Sequence, residues 1–206
     1  MKLKKFFLSA AVIISMVVFT NCGSEKKEVS NTSEEPITFK LALVDPENSN
    51  FAKGANKIAE EVEKATNGKI KIYVYAGGSL GGERDTIELA MGNNLDIATA
   101  ANSVLTNFIP EMGILDQPYL WSNSDEAHAA IDGAVGDLVK REALKHGLHV
   151  IGFMESGYRN TFSTKPIKTM ADFKGVTIRT MENKYHQAAF ESFGAMPVAM
   201  EYNDVF

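Results

Sequence analysis

The hydrophobic period switches repeatedly between two residues and three to four, and that alternation restricts the fold more than any other feature. Ile37, Phe39, Leu41 and Leu43 alternate with Thr38, Lys40 and Ala42, the period of a strand with one buried face. After the turn-like Asp45-Pro46-Glu47-Asn48, Phe51, Ala55, Ile58, Val62 and Ala65 recur at helical spacing, so an amphipathic helix follows. Asn67-Gly68 ends it, glycine suiting the position after a helix. Ile70, Ile72 and Val74 predict a second strand, Glu83 to Met91 a second helix closed by Gly92, and Leu95 to Ala100 a short buried strand. Strand–helix–strand–helix–strand predicts an α/β fold with a largely parallel sheet.

Downstream, Phe108 to Trp121 is irregular and contains Pro110 and Pro118. A long helix is expected from about Asn123 to Lys145, with Ser122 and Asp125 at capping-box spacing. Gly147 stops it, and Leu148 to Met154 reads as another buried strand. Asp172 to Gly175 turns into a strand over Val176–Arg179. Lys184 to Phe193 then reads as a helix ended by Gly194, before Met196-Pro197-Val198.

The N-terminus is of another kind. Lys2, Lys4 and Lys5 precede the apolar run Phe6–Phe19, the charged and hydrophobic regions of a secretory signal. The run is shorter than the roughly 20 residues that span a bilayer. The single cysteine of the chain, Cys22, follows it, which excludes an intrachain disulfide. Phe19-Thr20-Asn21-Cys22-Gly23 resembles the lipobox of bacterial lipoproteins, although Phe19 and Asn21 depart from its commonest residues. That resemblance implies lipidation at Cys22. A plain signal peptide containing a cysteine is the alternative. Gly23 to Pro36, rich in Ser, Glu, Lys and Asn, reads as a flexible tether. The expected division is therefore signal peptide 1–21 and lipidated cysteine with tether 22–36.

Of the 206 residues, 45% are hydrophobic and 23% charged, the balance of a globular protein. A net charge of −5 without any long Lys/Arg run argues against nucleic acid as partner. Gly77, Gly78, Gly81 and Gly82 lie between a strand and a helix, where phosphate cradles occur. Ser79 breaks the dinucleotide pattern and no Lys-Ser/Thr pair completes a P-loop, so a close-packed turn is expected. His146 and His149 lack a completing Cys or carboxylate, and His128 and His186 lack partners, so no metal site is expected. No nucleophile–base pattern is visible, so neither catalysis nor a cofactor is expected. Glu60, Glu61 and Glu63 read as a solvated helix face.

Two arginines stand out. Arg179 ends a short apolar strand, and ligands of open α/β sheets bind beyond the carboxyl ends of strands. Arg159 follows the expected strand Leu148–Met154 after Glu155-Ser156-Gly157-Tyr158. Guanidinium offers paired planar donors matching a carboxylate. On position alone, a structural ion pair is the simpler reading of either.

The order of motifs changes that balance. Thr66-Asn67-Gly68-Lys69, Gly78-Ser79-Leu80-Gly81 with Glu83-Arg84, Gly92-Asn93-Asn94-Leu95-Asp96 and Leu115-Asp116-Gln117-Pro118-Tyr119-Leu120 occur in sequence. Gly157-Tyr158-Arg159, Pro166-Ile167, Phe173-Lys174-Gly175-Val176-Thr177-Ile178-Arg179 and Phe193-Gly194-Ala195-Met196-Pro197 follow. From Ile37 to Phe206 the chain resembles the dicarboxylate-binding (DctP-type) solute-binding subunit of tripartite ATP-independent periplasmic (TRAP) transporters. The resemblance implies a two-lobed α/β periplasmic-binding fold that closes by hinge motion, with 37–156 as the first lobe and 157–206 as the beginning of the second. It implies that Arg179 makes the principal carboxylate bridge, supported by Arg159. Tyr202 matches an aromatic pocket wall, and Glu182 or Asn183 the polar loop that meets ligand hydroxyls. Sialic-acid binders carry an acidic residue and an arginine in the loop matching Ala101-Asn102-Ser103-Val104. Their absence implies a smaller C4-dicarboxylate or sugar acid, with Asn102 and Ser103 as hydroxyl partners. The family pattern continues beyond the point matching Phe206, implying C-terminal truncation and an incomplete second lobe.

The expected function is an extracytoplasmic receptor, in the periplasm or on the outer face of a bacterial membrane. It would pass an organic acid to membrane permease subunits and hold a lipid anchor at Cys22. A lipoprotein receptor of an ATP-driven importer, or a sensor, is the alternative on the same fold.

Overall fold

Strand β1 (Ile37–Ala42) runs centrally between two parallel neighbours, β2 (Ile70–Tyr75) and β3 (Ile97–Ala98). The chain is described by a computed structural model over residues 35–205; the signal-like segment and Cys22 lie outside the described residues. The register pairs Ile37 with Ile70 and Leu41 with both Val74 and Ile97. The crossovers are the helices α1 (Asn50–Ala65) and α2 (Glu83–Met91), so the βαβαβ order predicted from period alone is present.

Ser49 caps α1, its hydroxyl accepting from the Ala52 amide at 3.0 Å, which satisfies one of the helix's open donors. Its apolar stripe meets the sheet: Leu41, Leu43, Ala52 and Ala55 form a buried cluster, flanked by Phe51, Ile72, Val74 and Ile97. Burying each large side chain contributes about 1.5–3 kcal/mol, and the two alanines let helix and sheet approach closely. The opposite face carries Glu60, Glu61, Lys57 and Lys64 in exposed ion pairs, as expected of a solvated face. Strand β3 is shorter than the expected Leu95–Ala100. The Leu95 amide bonds the Leu89 carbonyl at the end of α2, and is therefore unavailable to a ladder.

The short helix α3 (Asn102–Leu105) and a 3₁₀ segment over Pro110–Asp116 lead into α4 (Ser124–Ile131) and α5 (Ala134–Lys145). The single helix expected over Asn123–Lys145 is thus two. Gly133 lies between them with φ −112° and ψ −140°, and a Cβ on Gly136 would lie 1.8 Å from the Ile131 carbonyl oxygen. A side chain at Gly136 would crowd this junction. The cap also lies one residue later than expected: Asn123, not Ser122, accepts from the Glu126 amide, and Glu126 bonds back to the Ser122 amide. A second buried cluster joins Ile109, Met112, Val139 and Ala143, with Leu148 and Val150 packed against it.

Leu148–Met154 is not a strand. Leu148 and Val150 dock on that cluster, but Ile151, Phe153 and Met154 are exposed. No strand of the described residues runs beside the segment to receive its amides and carbonyls, so its period-2 pattern has no ladder to join.

A separate sheet pairs β4 (Thr177–Thr180) in parallel with β5 (Met196–Ala199), connected by α6 (Lys184–Ser192). Phe173, Phe190 and Phe193 pack their rings at centroid distances of 5.6 to 5.9 Å and fasten α6 to this unit. Among the described residues no helix is long and apolar enough to cross a membrane. Nor does any group of His, Cys, Asp and Glu stand ready to hold a metal ion.

Candidate ligand-binding site

Arg179 sits on β4 opposite Val198, which carries its side chain towards the chain segment leaving β5. Its Nε and Nη2 donate to the Met200 carbonyl at 3.0 and 2.6 Å. Met200 is itself fixed, its amide bonding the Thr180 carbonyl at 3.1 Å. One edge of the guanidinium is therefore clamped by backbone. The other edge, Nη1 with the second Nη2 hydrogen, has no acceptor among the described residues.

Arg179 lines a cavity of about 150 Å³ together with Glu83, Arg84, Val104, Met181, Glu182, Ala199, Met200, Glu201 and Tyr202. Burial first, and then the charge of Arg159, lowers the Arg179 pKa; Glu83 and Tyr202 oppose that shift. A guanidinium starts so high that it stays cationic at neutral pH. The site thus holds a partly desolvated positive charge, which raises its attraction for an anion. Arg159 is exposed and donates from Nη2 to the Met181 sulfur at 3.2 Å. Its charge, after burial, also holds His186 below its usual pKa, against the opposing charge of Asp116.

Glu83 opens α2. Its Oε1 accepts from the Ala101 amide at 2.6 Å, and burial raises its pKa, with Asp45 and Glu201 adding to that effect and Arg179 opposing it. Arg84 donates from Nε and Nη2 to the two oxygens of Glu182 at 2.7 and 2.6 Å and lies 5.0 Å above the Phe108 ring. The Glu182 carbonyl accepts from Asn107 at 2.6 Å. The glycine turn before α2 is close-packed, as expected: Cβ atoms on Gly78 and Gly82 would strike Asn203 and Glu201. Those two glycines let the 201–203 segment close one side of the cavity.

Of the residues singled out from sequence, the structure brings Arg179, Glu182 and Tyr202 to the cavity wall. Arg159 stands behind Met181. Asn102, Ser103 and Asn183 do not line it. They build a frame around Asp116, a buried carboxylate that accepts from Asn102 at 2.9 Å, Thr106 at 2.6 Å and Asn183 at 2.7 Å. Asn183 is fully engaged: its amide nitrogen also bonds the Ser103 carbonyl, and its oxygen caps α6 by accepting from Tyr185 and His186. Ser103 donates to the Met181 sulfur at 3.0 Å. Sequence reasoning missed Glu83, Arg84, Met181, Met200 and Glu201. Only Glu83-Arg84 gave a signal, as charged residues opening a helix after a glycine turn. A larger open depression of about 590 Å³ follows the irregular 161–173 segment and is lined by neither arginine.

Residues 41–206 match the model of the bacterial extracellular solute-binding protein family 7, DctP. The chain belongs to this family. Its member in Escherichia coli named 2,3-diketo-L-gulonate-binding periplasmic protein is 33% identical over 74% of this chain and 47% of that protein. A TRAP periplasmic solute binding protein from a Polaromonas species, solved with D-erythronate, is 32% identical. It superposes with a TM-score of 0.79, covering 82% of this chain and 56% of that one. Another from Sulfurospirillum deleyianum, solved with succinate, is 28% identical with a TM-score of 0.79, covering 84% and 56%. The chain spans about half the length of the relatives it matches. The α/β binding-protein fold and the TRAP family implied by the motif order are thus shown, and the family's named members are binding proteins rather than enzymes.

Proposed function

We propose that this chain captures a small organic acid by its carboxylate at Arg179 and serves as the solute receptor of a TRAP-type transporter, delivering the acid to a membrane permease. The observation that carries this reading is Arg179 on the wall of a cavity, with one edge clamped by the Met200 carbonyl and the other without an acceptor among the described residues. A fork fixed in this way meets a carboxylate with two parallel bonds and little further ordering cost. Relatives solved with D-erythronate and succinate support a C4-dicarboxylate or sugar acid as the ligand. Tyr202 supplies an aromatic wall, Glu182 a polar one, and Arg159 additional positive charge. Asn102, Ser103 and Asn183 act by holding the Met181–Glu182 loop in place. Residues 37–156 form the first lobe and 157–206 the start of the second. Export by segment 1–21 and lipidation of Cys22, followed by the tether 22–36, would place the receptor outside the cytoplasm on a membrane surface. The sequence pattern supports this placement.

A thermal-shift panel of dicarboxylates, keto acids and uronic acids tests the proposal. A cognate acid at a hundredfold excess over its Kd stabilises the chain by about 2.7 kcal/mol. The shift should vanish in Arg179→Ala. Equal shifts in both proteins would contradict it.

A further inference from the structure

Resting on the receptor reading above, we infer that this pocket selects monocarboxylic polyhydroxy acids over dicarboxylates, because among the described residues its wall holds one uncommitted cation beside three carboxylates. The wall carries Glu83, Glu182 and Glu201 against Arg84 and Arg179. Arg84 is spent: two of its nitrogens hold both oxygens of Glu182, a third reaches Glu88 at 3.4 Å, and its plane covers Phe108. Arg179 is left to meet a ligand. Arg159 adds positive charge to the same neighbourhood, where it is felt by Arg179 and His186, and it does not line the cavity.

One ligand carboxylate therefore satisfies the open edge of Arg179. The remaining wall is rich in acceptors. Glu83 uses Oε1 for the Ala101 amide and has no partner for Oε2 among the described residues. Glu201 adds a second carboxylate beside it, and each of the two is held above the usual carboxylate pKa, by burial first and then by neighbouring acids. Hydroxyl groups donate to such acceptors. A second ligand carboxylate donates nothing and brings a like charge into a partly desolvated wall, where juxtaposed like charges are strongly unfavourable. The Arg84–Glu182 pair is then the device that withholds a second cation from the ligand.

D-erythronate and succinate separate the alternatives cleanly, since both have four carbons and they differ in one carboxylate against three hydroxyls. Isothermal titration of the full chain should show D-erythronate binding on the order of a hundredfold tighter than succinate. Glu182→Gln, at an exposed position, keeps a hydrogen-bonding group but frees the charge of Arg84. It should tighten succinate about tenfold and narrow the preference. Glu83→Gln, which retains an acceptor for the Ala101 amide, should weaken D-erythronate relative to succinate. Succinate binding as tightly as D-erythronate in the unaltered chain, lost in Arg179→Ala, would overturn the selectivity while leaving the receptor reading in place. A preference unchanged in both variants would also overturn it. Binding of neither acid nor of any other carboxylate would remove both readings.

Discussion

Arg179 does two jobs with one planar group. Its Nε–Nη2 edge pins the Met200 carbonyl, and the other edge, without an acceptor among the described residues, is left for a ligand in the cavity that Arg179 lines. Lysine keeps the charge but cannot divide its donors in this way. Arg179→Lys should therefore weaken acid binding by about 1.5–3 kcal/mol, roughly ten- to a hundredfold, as read by titration calorimetry. Glu83 has a consequence for stability. Its folded-state pKa lies above the ordinary 4.5, so the folded chain holds that proton more tightly than the unfolded chain. The contribution of Glu83 to stability is then full below about pH 4.5 and is lost as pH rises through the raised value. Glu83→Gln should remove this decline and leave the chain more stable at neutral pH, as measured by urea denaturation from pH 4 to 8. An unchanged pH profile would show that the buried carboxylate carries no such cost. The place of Arg179 on a cavity wall was legible in sequence because a strand-end arginine inside an ordered motif set is informative. Asp116 was not, since its importance lies in three donors, two from α3 and its C-cap and one from Asn183, that meet only in the fold. The same convergence explains why Asn102, Ser103 and Asn183 read as ligand contacts: sequence shows polar residues near a site, not where their bonds are spent.

At the scale of elements, β1, α1, β2 and α2 were readable because hydrophobic period and caps agreed. The failures have specific causes. Leu148–Met154 has a strand's alternation, but period says nothing about whether a neighbouring strand exists. The Asn123–Lys145 pattern remains amphipathic across Gly133, so the break is visible only in the close junction of α4 and α5. Gly136 provides the test. Its absent Cβ leaves room for the Ile131 carbonyl, and Gly136→Ala should destabilise the chain by roughly 1–3 kcal/mol through overcrowding. A substitution that instead stabilised the helix, as alanine does at open helical positions, would contradict the close α4–α5 junction.

At the scale of the molecule, the two parallel sheets among the described residues, built by βαβ crossovers, present their strand ends and following loops to a shared pocket, the arrangement that α/β folds use for ligands. The cavity draws walls from the start of α2, from α3, from the loop after β4 and from the segment after β5. Its positive centre lies in a chain of net charge −5, so the attraction for an anion is local rather than a property of the surface. Added salt should weaken acid binding only modestly, as expected for a partly buried pair. The most direct test of carboxylate capture is titration of D-erythronate into the unaltered chain and Arg179→Ala, with thermal melting confirming that both are folded. The expected result is saturable binding in the former and a loss on the order of a hundredfold or more in the latter. Equal affinity in the two proteins would contradict capture of the acid at Arg179.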